Sequence, residues 1–157
     1  MTDYSLLCGQ LDALGEGCRL PLPVLANAAA LLWMSLPRIN WAGFYLLRGE
    51  ELILGPFQGK PACTAIRMGK GVCGTAAASR ETQCVADVHL FPGHIACDSA
   101  SESEIVVPLI LADGRLAGVL DIDSPEKARF TAEDREGLEA FARTVTAAAD
   151  WDAAPVC

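Results

Sequence analysis

Apolar residues recur at helical spacing near both ends of the chain. Residues 23–36 carry them every three or four positions, and Pro37 ends this segment. A second segment of this kind follows Thr131, whose hydroxyl can cap a helix while Asp134 returns a hydrogen bond from three residues further on. The apolar face of the second helix is predicted to bury Leu138, Phe141, Val145 and Ala148.

Short apolar runs bounded by turn residues occupy the middle of the chain. They predict strands over residues 41–47, 51–57, 62–68, 83–87, 104–111 and 115–123. The turn Asp113-Gly114 joins the last two strands as a hairpin. Because short connections require antiparallel neighbours, and helices at both chain ends can cover the sheet, the sequence predicts an α+β fold.

The length of 157 residues fits one domain, and no repeat or long linker divides the chain. We expect a single domain over residues 1–157, with a core of about 23–150 and a short tail at 152–157. No apolar run approaches the ~18 residues of a membrane helix, and the first residues lack the features of a signal peptide. We therefore expect a soluble, cytoplasmic protein that uses no membrane partner.

Charge and cysteine content narrow the possible functions. The chain has 20 acidic and 12 basic side chains and a net charge of -8 at pH 7, which disfavours nucleic-acid binding through phosphates. A small cationic group suits such a surface better. Seven cysteines are an odd number, and in a reducing compartment this argues for free, catalytic or metal-bound thiols rather than a disulfide framework.

Three cysteines lie among glycines and other small residues. Cys97 belongs to a small, polar segment without helical or strand periodicity, which suggests a loop, and the local sequence leaves a nucleophile and a small buried side chain as alternatives. Cys73 follows a Gly-rich loop near the start of a short Ala-rich helix at 69–80, where helix geometry favours an anion, either a thiolate or the carboxylate of a ligand. Cys63 is predicted on a strand, and only proximity to Cys97 would make it a resolving thiol.

The other candidate metal and phosphate motifs are weak. His89 and His94 flank Phe-Pro-Gly near Cys97, but their spacing matches no familiar paired Cys/His pattern. The Gly-rich loop lacks the Lys-Ser/Thr pair that follows the last glycine of a phosphate loop. We expect no metal, nucleotide or other cofactor. We assign no chemistry to the remaining cysteines. Cys84 is an ordinary strand residue, and the other three lie near flexible chain ends: Cys8, Cys18 and Cys157.

Three acidic residues lie at the ends of apolar strands. Asp121 and Asp123 share one strand face because side chains two positions apart point the same way, and Glu104 opens another strand. They can be a solvated edge, a site for a cationic ligand, or carboxyls whose raised pKa allows proton donation.

Several segments in order resemble the free methionine-R-sulfoxide reductases, which are single-domain GAF proteins. The segments are INWAGFYLL at 39–47, LGPFQGKPAC at 54–63, GKGVCGTA at 69–76, DVHLFPGHIACDSASESEIVVP at 87–108 and GVLDIDS at 118–124. The resemblance implies a GAF fold with a central antiparallel sheet, a small-molecule pocket and a homodimeric state. It also implies reduction of the R epimer of free methionine sulfoxide, with thioredoxin as the electron donor.

The resemblance also implies a role for each site residue. Cys97 is the catalytic thiol, Cys63 the resolving thiol, and Cys73 a third redox-active thiol able to pair with Cys97. Attack by Cys97 leaves a sulfenic acid that a second thiol condenses to a disulfide, and the sequence leaves Cys63 and Cys73 open for that step. The pocket carboxylates are Glu104, Asp121 and Asp123, and either Glu104 or Asp123 can donate the proton. Trp41 and Tyr45 form the aromatic wall.

Two other functions remain possible from the sequence. The chain can be a non-catalytic GAF sensor that binds a small ligand, although a sensor has no need for three thiols around its pocket. It can also be a redox switch whose disulfide controls dimerisation. Turnover with thioredoxin separates the enzyme from both alternatives.

Overall fold

The computed structural model describes residues 1–95 and 97–153, so Cys157 and most of the predicted tail lie outside the described residues. In chain order the elements are α1 (Tyr4–Gly15), α2 (Pro21–Ser35), β1 (Trp41–Arg48), β2 (Glu51–Gly59), β3 (Ala65–Arg67), α3 (Gly71–Ser79), β4 (Gln83–Val85), a short 3-10 helix (Val88–Leu90), β5 (Ser103–Ile110), β6 (Leu116–Ser124) and α4 (Ala132–Ala148).

The strands form a single six-stranded sheet in the order β3-β2-β1-β6-β5-β4. Every neighbouring pair is antiparallel, which confirms the predicted α+β class and the β5–β6 hairpin. No helix among the described residues is both long enough and apolar enough to cross a bilayer.

The two edge strands are shorter than predicted. β3 pairs only with the start of β2, since residues 61 and 62 leave the sheet to line a pocket. β4 ends at Val85 because Asp87 turns the chain into the 3-10 helix, where its side chain accepts a hydrogen bond from His89 N. The predicted short helix around Cys73 is confirmed as α3.

Helix α1 was not predicted. Its buried side chains, Leu7 and Leu11, join the core formed by α2, α4 and one face of the sheet, so this core extends outside the predicted limits. Cys8 also lies within this helix, so the prediction of a flexible chain end there is wrong. Helix α2 begins two residues before the predicted start. Its first turn contains a proline, and the missing N–H costs no hydrogen bond because the first N–H groups of a helix have no partner within it.

The sheet separates two apolar clusters. Helices α2 and α4 cover one face, and α1 packs against both of them; the fully buried side chains of this layer include Leu32, Phe44 and Phe141. The opposite face carries Trp41 and Tyr45 and is covered in part by α3. Only this second face holds the acidic residues singled out above, so the first face supplies a mainly apolar core while the second contains the candidate site.

The start of α4 is stabilised by a buried hydrogen-bond network centred on Asp134. Thr131 and Asp134 form the predicted capping box. Asp134 also accepts a hydrogen bond from Tyr4 Oη at 2.7 Å and pairs with Arg129 Nη1 at 3.0 Å, which ties α1 to α4. Burial raises the pKa of Asp134, but hydrogen bonds from Thr131 and Tyr4 together with the charge of Arg129 outweigh it, and the net pKa is lowered.

We expect Asp134→Ala to reduce the free energy of unfolding by about 3 kcal/mol, because it leaves the buried Arg129 without its partner. The lowered pKa means that the carboxylate stabilises the fold above its unfolded pKa of about 4, and that this contribution is lost as the pH falls through the folded value. The difference from the parent should therefore shrink in acid. Urea unfolding at about pH 7 and about pH 3 measures it, with the neighbouring exposed Glu133→Ala as a control that loses less than about 1 kcal/mol.

Candidate active site

A pocket lies on the second face of the sheet, between the strands, α3 and the segments around residues 62 and 97. It brings together residues from five separate regions of the chain. Of the eight predicted site residues, seven line it: Trp41, Tyr45, Cys73, Cys97, Glu104, Asp121 and Asp123. The eighth, Cys63, is bonded to Cys97 in a disulfide.

The acidic residues form one buried cluster. Pairing of β5 with β6 places Glu104 directly opposite Asp123, and Asp121 lies two positions along on the same face. Glu104 and Asp121 expose only 7% and 5% of their surface. The alternative of a solvated strand edge is therefore wrong, because β5 and β6 both lie inside the sheet and the pocket covers this face.

The cluster retains protons. Burial, followed by the charges of Asp121 and Asp123, raises the pKa of Glu104 well above its usual range, and burial with the charge of Asp121 does the same for Asp123. Burial also raises the pKa of Asp121, although hydrogen bonds from Glu104 and Cys73 oppose the increase. Asp121 is thus the carboxyl best able to hold a negative charge, while the raised pKa values of Glu104 and Asp123 favour their protonated forms.

Cys73 is a buried thiol. Its side chain packs in the apolar cluster of this face and faces Asp121, and burial with the charges of Asp121, Glu104 and Asp123 raises its pKa well above the usual range. The expected stabilisation of a thiolate by the start of α3 is outweighed by these effects. The other alternative, a ligand carboxylate bound at the start of α3, still fits the structure. The N-cap residue Lys70 makes no side-chain hydrogen bond to the helix, so the first N–H groups stay available, and Gly71 and Val72 line the pocket.

The disulfide lies at the surface of the pocket. Cys97 is exposed, Cys63 is half-buried, and their Cα atoms are 5.9 Å apart. Tyr45 Oη donates to the carbonyl of Cys63 at 2.9 Å, and Trp41 Nε1 donates to the carbonyl of Lys60 at 3.1 Å. The aromatic wall therefore also anchors the segment that presents Cys63. A thiolate from outside can reach this disulfide, since it is not enclosed in the core.

The aromatic wall depends on a glycine. Trp41 stacks on Tyr45 and on Phe57, with ring centroids 5.9 Å and 5.1 Å apart. A Cβ on Gly43 would lie 2.3 Å from the Cβ of Phe57 and 2.9 Å from the Trp41 ring. Only a residue without a side chain allows this stack beside the pocket.

Two further pocket residues, His94 and Asp98, were not assigned a functional role from the sequence. Burial, followed by the charge of His89, lowers the pKa of His94, which favours the neutral imidazole. Asp98 directly follows Cys97, and its charge is among the influences that raise the pKa of Asp123, after burial and Asp121. In the sequence, only their closeness to Cys97 could have indicated a functional role. The fold of the loop is what directs both residues toward the pocket.

Among the described residues, two groups of side chains have the types and spacing of metal ligands. In the first, ligand atoms of Cys73, Glu104 and Asp121 lie within 4.8 Å of one another, but a metal would have to displace protons that burial retains. The second consists of Asp87, His89 and Glu102, and there Lys127 Nζ already pairs with Asp87 at 3.2 Å. Neither group leads us to propose a metal site.

The pocket is small in this disulfide-bonded state. Its cavity volume is about 40 Å³, which suits a few water molecules but not an amino acid. Binding of a ligand of that size requires the pocket to widen.

Comparison with known proteins relates this geometry to relatives. The family model for the GAF domain matches residues 22–149. A free methionine-R-sulfoxide reductase of Escherichia coli (strain K12) is 55% identical over 135 residues, which cover 86% of this chain and 81% of the relative. The structure of fRMsr of Staphylococcus aureus in complex with substrate is 53% identical with a TM-score of 0.88, and the match covers 94% of this chain and 96% of that chain. A putative GAF sensor protein from Burkholderia vietnamiensis is 59% identical with a TM-score of 0.90, covering 93% and 92% of the two chains.

The antiparallel sheet, with helices on both faces and a pocket on one of them, is that of a GAF domain. Within this class, identity above 50% over most of both chains carries the assignment further. The chain belongs to the free methionine-R-sulfoxide reductase family.

We expect Glu104→Gln to stabilise the protein at neutral and alkaline pH. Because folding raises the pKa of Glu104, the folded state keeps a proton that the unfolded chain releases above about pH 4, so the native carboxyl opposes folding there. The variant should have a Tm higher by roughly 3 °C at about pH 8. The difference should disappear below about pH 4. Thermal unfolding followed by circular dichroism measures both values.

The exposed Glu136→Gln on α4 is the matched control, and it should leave the Tm unchanged at both pH values. A lower Tm for Glu104→Gln than for the parent at about pH 8 would show that the buried carboxyl stabilises the fold instead.

Proposed function

We propose that this protein reduces free L-methionine (R)-S-oxide to L-methionine through a sulfenic acid on Cys97, an intramolecular disulfide and thioredoxin. Membership of the reductase family supports the reaction. The single observation that supports the residue assignment is the exposed Cys63–Cys97 disulfide next to a pocket with buried, protonated carboxyls. This state corresponds to the enzyme after one turnover and before its reduction.

In the first step the thiolate of Cys97 attacks the sulfur of the sulfoxide. The sulfoxide oxygen moves to Cys97, and the sulfur–oxygen bond of the substrate breaks as methionine leaves. That oxygen must gain a proton, and Glu104 or Asp123 can donate it because burial raises their pKa values and favours the protonated forms. The products are methionine and a sulfenic acid on Cys97.

In the second step a thiol attacks the sulfenic sulfur and releases water. We assign this role to Cys63, because it is the bonded partner of Cys97 and lies less deeply buried than Cys73. Cys73 would need to lose a proton that burial and three carboxyls retain. It stays the alternative resolving thiol, able to pair with Cys97. The dithiol of thioredoxin then reduces the exposed disulfide by exchange and is itself oxidised.

Charges in the pocket can explain selectivity for the free amino acid. Asp121 and its neighbours can pair with the substrate ammonium, and the first N–H groups of α3 can bind its carboxylate. Trp41 and Tyr45 can pack on the S-methyl group, since sulfur–aromatic contacts contribute up to ~1.5 kcal/mol. A methionine sulfoxide within a peptide has neither charge, so it would leave the carboxyls unmatched.

We further propose that the chain acts as one domain and as a homodimer, as the resemblance implies, and that it acts in the cytoplasm, as the sequence predicts. A non-catalytic GAF sensor is the alternative function. The accessible disulfide beside the pocket favours the enzyme, because ligand sensing by itself requires no reducible bond.

Reduced protein incubated with racemic free methionine sulfoxide should consume only the R epimer. We expect Cys97→Ser to reduce single-turnover methionine formation at least a thousandfold, because a hydroxyl is a much weaker nucleophile at neutral pH. Cys63→Ser should still form one methionine per site, while turnover with thioredoxin falls. Chiral chromatography of substrate and product measures all three rates.

Cys84→Ser is the matched control, since this exposed thiol lies on the edge strand β4 and should not affect turnover. Normal single-turnover chemistry in Cys97→Ser would contradict the assignment of the nucleophile. Full thioredoxin turnover in Cys63→Ser would transfer the resolving role to Cys73.

N-acetylmethionine sulfoxide tests recognition of the ammonium. It keeps the sulfoxide and the carboxylate but lacks the positive charge, so we expect kcat/KM to fall by about two orders of magnitude or more. Asp121→Asn should lower kcat/KM for the free amino acid by a similar factor and reduce the discrimination between the two compounds. Equal rates on both compounds with the parent would contradict this recognition.

A further inference from the structure

Asn40 connects the sheet to the segment that follows Cys97. Its backbone N–H donates to the carbonyl of Asp123 at 3.0 Å, at the beginning of β1. Its side-chain Nδ2 donates to Asp98 Oδ2 and to Ser101 Oγ, both at 3.1 Å. One side chain thus joins the strand of a pocket carboxyl to two residues just beyond the reactive cysteine.

The orientation of the Asn40 amide follows from these partners. A carboxylate oxygen only accepts hydrogen bonds, so the nitrogen of the amide must face Asp98. This leaves Asn40 Oδ1 buried and without a hydrogen-bond partner among the described residues. A buried acceptor without a partner is unfavourable for folding, so stability alone does not account for an asparagine here.

The charge of Asp98 can influence Cys97 because the two residues are consecutive and both line the pocket. A carboxylate near a thiol disfavours the thiolate. The Asp98 carboxylate receives the N–H of Asn40 on one oxygen and the backbone N–H of Ala100 on the other, at 2.9 Å. Each donor brings the positive end of a dipole to the carboxylate and reduces its effect on a neighbouring anion.

Reduction of the disulfide makes this contact more important. In the oxidised state the bond to Cys63 restrains Cys97. Once thioredoxin breaks that bond, the Cys97 segment is held by non-covalent contacts. One of these joins Val88 N to the carbonyl of Glu102 at 2.9 Å, and it closes the loop of residues 88–102 at its two ends. The Asn40 contacts lie inside this loop, and one of them is made to Asp98, directly after Cys97.

We infer that Asn40 is a positioning residue, which holds the segment from Cys97 to Ser101 against the sheet and engages Asp98 so that the Cys97 thiol ionises beside a compensated charge. The inference rests on the proposed function only in taking Cys97 as the reactive thiol. It assigns to Asn40 no contact with the substrate.

Alkylation of Cys97 tests the inference without requiring enzyme activity. Reduced protein is treated with iodoacetamide over a range of pH, and peptide mass spectrometry reports modification of Cys97. Asn40→Asp places a second carboxylate against Asp98, so we expect the midpoint of alkylation to move upward by about half a pH unit or more. Asn27→Asp, at the other asparagine of the chain, exposed on α2, is the matched control and should not move it.

A double-mutant cycle with Asp98→Asn identifies the contact itself. We expect Asn40→Asp to reduce kcat/KM for free methionine sulfoxide at least tenfold in the parent, because the bond is lost and two carboxylates face each other. In the Asp98→Asn background the new amide can donate to the new carboxylate, so the same change should cost less than about threefold. Equal losses in the two backgrounds would overturn the inference.

The two proposals fail in different ways. If the reduced parent forms no methionine, the proposed function is wrong, while the alkylation midpoint still decides the role of Asn40. If Asn40→Asp does not fold by circular dichroism, Asn40→Ala replaces it, because it removes both hydrogen bonds without adding charge and should also raise the midpoint. An unchanged midpoint in the folded variant overturns the inference.

Discussion

The buried carboxyls of Glu104, Asp121 and Asp123 are the constraint on which the rest of the site depends. None of the described residues that line the pocket is a lysine or an arginine, so burial and mutual repulsion are not offset by a resident positive charge. These effects raise the pKa values of Glu104 and Asp123 well above their usual range, which favours their protonated forms. A protonated carboxyl can act as an acid. Asp121, whose pKa is held back by hydrogen bonds from Glu104 and Cys73, is the group best suited to pair with an ammonium.

The fold separates this unfavourable arrangement from the elements that stabilise the protein. The face of the sheet covered by α2 and α4 is mainly apolar, and the ion pair of Arg129 with Asp134 lies at the start of α4, away from the pocket residues. Burial also divides the thiols. Cys97 is exposed and can be attacked by an external reductant, whereas Cys73 is enclosed beside the carboxyls and stays protonated. The difference in exposure follows the position of each thiol relative to the sheet rather than its neighbours in the sequence.

The cavity is small in the disulfide-bonded structure. With Cys63 and Cys97 bonded, the space of about 40 Å³ is too small for an amino acid, so the pocket must widen before a ligand of that size enters; segments that carry the two cysteines form part of its wall. Different hydrogen bonds hold these segments. Tyr45 Oη donates to the carbonyl of Cys63, and Asn40 Nδ2 donates to Asp98 and Ser101. Each cysteine therefore lies in a segment that hydrogen bonds join to the sheet.

The sequence by itself determined the features that depend on local contacts. Helical spacing and the Thr131 capping box predicted α4, and the two-residue spacing of Asp121 and Asp123 placed them on one face. The family motifs identified the cysteines and acids of the site. Only the tertiary structure decided which thiol is bonded to Cys97, that Glu104 lies opposite Asp123, and that Asn40 reaches Asp98. These features depend on strand register and on loop packing between residues 19 to 58 positions apart, which no local periodicity specifies.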